Sequence, residues 1–169
     1  MGRGGRPRNH DPAADSITRH IRYAEDADAQ SLIEEKGTEL PDGEARTPLI
    51  WAAAHNRIEL LRWLICRKAN VDHQDRIGYC ALHFAAQNKH TEVARILLDA
   101  AASTELRDIH GNTPLWTAAF SARGDFGVFQ LLLSHGALLD NRNNVGKTVR
   151  DVALLFFPGQ LDALIANAS

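Results

Sequence analysis

Eight histidines, two cysteines and the carboxylates Glu25, Asp26 and Asp28 are the groups with which this 169-residue chain could bind a metal or move protons. Their spacing argues against both. Structural zinc needs imidazoles or thiolates in closely spaced pairs, and no two cysteines or histidines are so placed. His55, His90, His110 and His135 are spread along the chain instead, at turn or helix-start positions. Glu25, Asp26 and Asp28 have no apolar surroundings that would raise a carboxylate pKa, so they read as a solvated face. There is no glycine-rich phosphate loop, no nucleophile elbow and no pair of carboxylates framing a pocket. The expectation is a protein that is not an enzyme, with no catalytic residues, no metal and no cofactor. Cys66 and Cys80 are expected as buried free thiols.

The bulk composition narrows the class further. A net charge of −2 favours neither a nucleic-acid binder nor a halophile. No apolar run approaches the ~20 residues that span a bilayer. The start, MGRGGRPRNHDPAAD, is basic without an apolar core or a cleavage site, so it does not read as a secretory signal. Its Arg-Gly-Arg-Pro flavour could suit the minor groove of A·T-rich DNA. Gly4 and Gly5 interrupt the motif, it occurs once, and the rest of the chain is acidic. Residues 1–14 are therefore expected to be a disordered tail. The expected compartment is the cytoplasm, with no membrane, nucleic-acid or small-molecule partner.

The elements that would position any site emerge when the chain is laid against itself. ARTPLIWAAAHNRIELLRWLICRKANVD, GYCALHFAAQNKHTEVARILLDAAAST and GNTPLWTAAFSARGDFGVFQLLLSHGALLD align on Thr47, Cys80 and Thr113. A fainter GKTVRDVALLF follows at Thr148, giving steps of 33, 33 and 35 residues. Thr47 and Thr113 suit N-caps, where the hydroxyl accepts from a first-turn N–H. Pro48 and Pro114 then fall at the first helical position, where a missing N–H costs nothing. The pairs Ala52-Ala53, Ala85-Ala86 and Ala118-Ala119 let two helices approach closely. A second apolar stripe follows in each unit: Leu60, Leu61, Leu64 and Ile65, then Val93, Ile96, Leu97 and Leu98, then Phe129, Leu131, Leu132 and Leu133. Gly78, Gly111 and Gly146 sit between units, where a tight turn needs positive φ.

These residues resemble the ankyrin repeat, whose pattern runs G-x-T-P-L-H-x-A-A, then L-L-L and G-A-D, over about residues 42–166. The resemblance implies an all-α solenoid of stacked helix-turn-helix units with hairpin-like loops. It also implies a role in binding proteins. Only the second unit keeps the histidine, His83; Ile50, Trp116 and Asp151 stand there in the others. The Thr–His hydrogen bonding usual in the family is therefore expected to be incomplete. The expected organisation is an N-terminal cap over 15–40, full repeats over 41–74, 75–107 and 108–142, and a C-terminal cap over 143–169. In the first cap Ile17, Ile21 and Ala24 share a helical face and Leu32 and Ile33 open the second helix. In the last, Val152, Leu154, Leu155, Leu161, Leu164 and Ile165 are expected to close the stack, with Pro158-Gly159 as the turn between its helices.

The third unit carries two extra residues at SARGDFG. Arg123-Gly124-Asp125 is thus expected to be a widened helix-to-helix turn, not an adhesion motif, with Gly124 bending the chain and Asp125 capping the next helix. Its G-N-T-P-L-W start and lengthened turn are similar to small freestanding bacterial ankyrin proteins associated with polymorphic toxin systems. With no chemistry of its own, such an array must act through a surface. The expected concave face takes Glu44, Arg46, Arg76, Ile77, Tyr79, Ile109, His110, Asn112, Asn144 and Lys147 from the loop tips. From the first helix of each pair it takes His55, Gln87, Asn88, Phe120 and Ser121. Ile77, Tyr79, Ile109 and Phe120 are apolar or aromatic where solvent alone favours polar residues. Trp51, Phe84 and Trp116 are expected to pack between repeats. The expected partner is another protein bound one-to-one: a bacterial toxin or effector that this chain neutralises as an immunity protein, or a cellular enzyme it scaffolds or regulates.

Overall fold

A computed structural model describes residues 11–168, which form ten α-helices. Within them the sole β feature is an isolated bridge between Arg142 and Thr148. The helices come in pairs: α1 (Pro12–Arg22) with α2 (Asp26–Lys36), α3 (Pro48–Ala54) with α4 (Ile58–Cys66), and α5 (Ala81–Asn88) with α6 (Thr91–Asp99). Then come α7 (Pro114–Ser121) with α8 (Gly127–Ser134), and α9 (Val149–Phe156) with α10 (Leu161–Ala166). The odd-numbered helices pack in succession from α1 to α9, and α4, α6, α8 and α10 form a second row behind them. No described helix is long and apolar enough to cross a membrane.

Each helix is short and cannot bury its apolar face alone; stacking supplies the missing half of the core. Leu60, Leu61, Leu64, Leu82, Val93, Leu97, Leu115 and Leu132 are wholly buried between units. The alanine pairs are buried too, which is how successive odd-numbered helices come close. At the first end Ile17, Ile21 and Ile33 seal the core. Ala24 does not join them: it is the positive-φ residue (67°) of the α1–α2 turn. The expected tail also shortens, because α1 begins at Pro12. Asp11 accepts the Ala13 N–H at 2.8 Å, and Pro12 needs no partner for an N–H. The rest of that tail, including the arginine-rich motif, lies outside the described residues.

Two apolar expectations change. Cys66 ends α4 and is exposed, whereas Cys80 is buried, and burial pushes its thiol up to about 11. Leu154 and Leu155 are 50% and 76% exposed, because α9 packs on α7 through its opposite face. Val152, Leu161 and Leu164 close the stack as expected, joined by Val149, Ala153 and Phe157.

The four helix starts show what the altered Thr–His pattern does. Thr113 Oγ1 accepts the Trp116 N–H at 3.4 Å. Thr148 Oγ1 accepts the Asp151 N–H at 3.1 Å while the Asp151 carboxylate accepts the Thr148 N–H at 2.8 Å, so aspartate completes a reciprocal cap. His83 Nδ1 accepts the Cys80 N–H at 3.3 Å and lies 3.1 Å from the thiol. Thr47 does not cap its helix as expected. Its hydroxyl is buried and has no hydrogen-bond partner. An unsatisfied buried hydroxyl costs about 1–3 kcal/mol. Thr47→Val should therefore raise the melting temperature, and thermal unfolding of the two proteins checks it.

Candidate functional site

The loop tips are built by one device used four times. Asp42 Oδ1 accepts the N–H groups of Glu44 (2.8 Å) and Arg46 (2.9 Å). Asp75 Oδ1 does the same for Ile77 (3.0 Å) and Tyr79 (2.8 Å), and Asp108 Oδ1 for His110 and Asn112 (both 2.8 Å). Asn143 Oδ1 takes Val145 (3.2 Å) and Lys147 (3.0 Å). A side-chain oxygen gripping two turn amides, two and four residues on, fixes each tip without a regular strand. The tips then hydrogen-bond to one another in a row: Arg76 N–H to Glu44 C=O, Ile109 to Ile77, and Asn144 to His110, at 2.9–3.0 Å. Gly78 shows how close they lie. Its φ is +80°, and a Cβ there would sit 2.7 Å from Asp108 Cα.

Against this row stand the odd-numbered helices, and the space between is an open groove of about 650 Å³. Of the expected site residues, Tyr79, Gln87, Asn88, His110, Asn112, Phe120 and Ser121 line it together. Lys89, Asp108, Trp116, Thr117 and Arg123 also line it and were not among the expected residues. Phe120 is 62% exposed in this groove. Tyr79 is half-buried, stacked on His83 at 4.9 Å and edge-on to Phe84 at 5.4 Å; burial pushes its phenol pKa up. Asn112 serves the scaffold: its carbonyl accepts from His83 Nε2 at 3.2 Å, and its side chain joins Asp108 to Asn143.

The remaining expected residues are not brought into that groove. Ile77 and Ile109 are exposed at the tips with Glu44, Arg76, Asn144 and Lys147. Asn144 Nδ2 donates to the Ile109 carbonyl at 3.0 Å. Arg46 is held: it pairs with Asp75 at 3.0 Å and lies over Trp51 and Phe84 at 5.4 and 5.1 Å. Trp51 is the hub of the first unit, with Arg22 over its ring at 5.3 Å, His55 stacked at 5.4 Å and its Nε1–H donated to Asp42 at 2.8 Å. Trp51, Phe84 and Trp116 are all partly buried against the core. Burial first, then the nearby guanidinium of Arg22, lowers the His55 pKa.

The acidic outer face is less uniform than the sequence suggests. Asp26 is gripped by both ends of the Arg57 guanidinium at 3.0 and 2.8 Å, tying α2 to the start of α4. The α1–α2 turn also brings His20, Glu25 and Asp28 ligand atoms within 4.8 Å of one another, at a largely exposed position. In the third unit, Arg123 and Gly124 both have positive φ (45° and 92°), and the Asp125 N–H donates to the Ala122 carbonyl at 2.8 Å. Asp125 Oδ1 accepts the Gly127 N–H at 3.2 Å, so the triplet is a tight turn ending at the start of α8.

His83 supplies a pH test of the stack. Nδ1 accepts from the Cys80 N–H, so the neutral ring carries its proton on Nε2, facing the Asn112 carbonyl of the next unit. Burial lowers its pKa below the ordinary 6.5. Below about 6.5 the unfolded chain takes up a proton that the folded chain refuses, so this residue makes stability fall as pH drops through that range. Above it both states are neutral and the effect vanishes. Denaturant unfolding at a series of pH values should show that slope, and His83→Gln should flatten it.

This geometry defines a class: a solenoid of stacked helix pairs, with a groove between loop tips and the first row of helices. A family model described as ankyrin repeats, in three copies, matches residues 49–145, and the chain belongs to the ankyrin-repeat family. It is 40% identical over 102 residues to human Ankyrin repeat and KH domain-containing protein 1. That match covers 60% of this chain and 4% of the relative. It is 43% identical over 93 residues to mouse Neurogenic locus notch homolog protein 1, covering 54% of this chain and again 4% of the relative. The chain thus matches only a small part of each of these much longer proteins. Ankyrin repeats are interaction modules, and this chain carries that role.

Proposed function

We propose that the chain binds a single partner protein one-to-one along the groove of its second and third repeats, and acts on it by occupancy. The observation that carries this reading is Phe120, a phenylalanine left 62% exposed between Trp116, Tyr79 and two cations that line the same groove. Exposed aromatics in a concave site with flanking cations are the usual anchors of protein recognition. A rigid array pays little ordering entropy on docking, so its surface converts efficiently into affinity. The finer reading is that the partner is a toxic enzyme or effector in the cytoplasm, held inactive as an immunity protein holds its toxin. Covering a catalytic cleft needs only a shaped surface, and the widened Arg123-Gly124 turn gives the third unit a projection for choosing among related partners.

A scaffold or regulator of a cellular enzyme is the second reading, favoured by the likeness to segments of much longer animal proteins, the match covering 4% of each. Co-expression with each protein encoded beside this one separates the two. Restored growth against a toxic neighbour, lost with Phe120→Ala, is the expected result. No rescue from any neighbour, with a harmless enzyme co-purifying in its place, leaves the scaffold reading standing.

A further inference from the structure

Phe120 also lines a second open cleft, of about 660 Å³, between the widened α7–α8 turn and the Pro158-Gly159 turn. Phe126, Phe156 and Phe157 form its aromatic floor, and Arg123 edges both this cleft and the groove. Phe120 and Phe156 meet edge-on at 5.5 Å, yet Phe156 remains 55% exposed. Phe126 packs edge-on against the buried Phe157 at 4.9 Å, so the floor is fixed in place.

The charges around this surface are one-sided. On the outer helices Arg57, Arg62 and Arg67 each hold a carboxylate within 3.0 Å. Arg123 and Lys89 hold none among the described residues. Among the described residues no carboxylate lines the second cleft. Asp108, the one acid among the described residues that line the groove, is buried and spends its oxygens on the amides of His110 and Asn112 and the Asn112 side chain. Asp125, two residues on from the arginine, is turned to Gly127. An unpaired cation at the lip of an aromatic cleft selects a ligand that is apolar and negatively charged together.

Resting on the groove reading above, we propose that this cleft is a second docking site for the same partner, taking an acidic segment with an apolar anchor. The anchor, a phenylalanine or leucine, enters between Phe120 and Phe156, and a neighbouring carboxylate meets Arg123. Charge rules out the chain's own first ten residues, which carry Arg3, Arg6 and Arg8 and no acid.

The test is selection of a random-peptide display library on the full chain, with Arg123→Glu, Phe156→Ala and the groove variant Gln87→Arg as counter-targets. Circular dichroism and melting establish that each variant is folded. The expected winners combine Asp or Glu with a Phe or Leu, and weaken as salt is raised. Arg123→Glu and Phe156→Ala should each weaken them about tenfold or more. Neutral or basic winners, or no enrichment at all, overturn the proposal. Winners lost on Gln87→Arg but indifferent to the other two variants overturn it while leaving the groove reading intact. A dimer in solution that Arg123→Glu converts to monomer would put a second copy in the cleft, and also overturns it.

Discussion

Replacing Leu97 with alanine is expected to cost roughly 2–5 kcal/mol of stability. Leu97 is wholly buried in α6, which packs on α4 on one side and α8 on the other. The lost methyls leave a cavity between two units, and short stacked helices cannot collapse to fill it without pulling on both neighbours. The same change at Leu164, which is 7% exposed in α10 at the end of the stack, should cost less, because neighbours lie on one side only. Urea unfolding of both variants measures the difference. Equal losses would mean that stability is not carried by the interfaces between units.

Phe120→Ala should weaken the partner by about 2 kcal/mol or more while leaving helicity and melting nearly unchanged. The ring is 62% exposed and its aromatic contact is with Phe156, itself 55% exposed, so little core is lost. Tyr79 is the less clean probe. Stacked on His83 and packed against Phe84, it is part of the inter-repeat framework, so Tyr79→Ala would mix a stability loss with a binding loss. Glu25→Ala, on the outside of the first cap, should leave binding unchanged. Titration calorimetry of the two variants with the partner separates the faces. A loss at Glu25 with none at Phe120 would move the site to the cap.

The repeat is legible because its period is enforced by packing: a residue that must be small or apolar in one unit must be so 33 residues later. The tip-building side chains obey the same rule. Asp42, Asp75, Asp108 and Asn143 recur with the period, and each grips two amides, yet they read as ordinary loop polarity until their partners are visible. Arg46 illustrates the opposite limit. It has the sequence of an exposed tip residue, but its ion pair with Asp75 and its contact with Phe84 depend on how one unit sits on the next. Lys89, Trp116 and Arg123 escaped for the same reason, since a groove wall is set by the register between helices. Leu154 and Leu155 are apolar in a helical pattern, and the pattern does not say which face of the last odd-numbered helix has no neighbour. Thr47 and Thr113 share the same Thr-Pro helix start, yet only the Thr113 hydroxyl meets a first-turn N–H, a difference of local geometry that the shared residue types do not carry.

Hydrogen exchange of the free and partner-bound chain, resolved by residue, tests the central claim of groove occupancy most directly. Binding along the groove should slow exchange in the tips at 76–79 and 109–112, in α5 and α7, and at the 122–125 turn. The outer helices α4, α6 and α8 should be unaffected. Protection confined to those outer helices or to α2, with the tips and α7 exchanging as in the free chain, would contradict it.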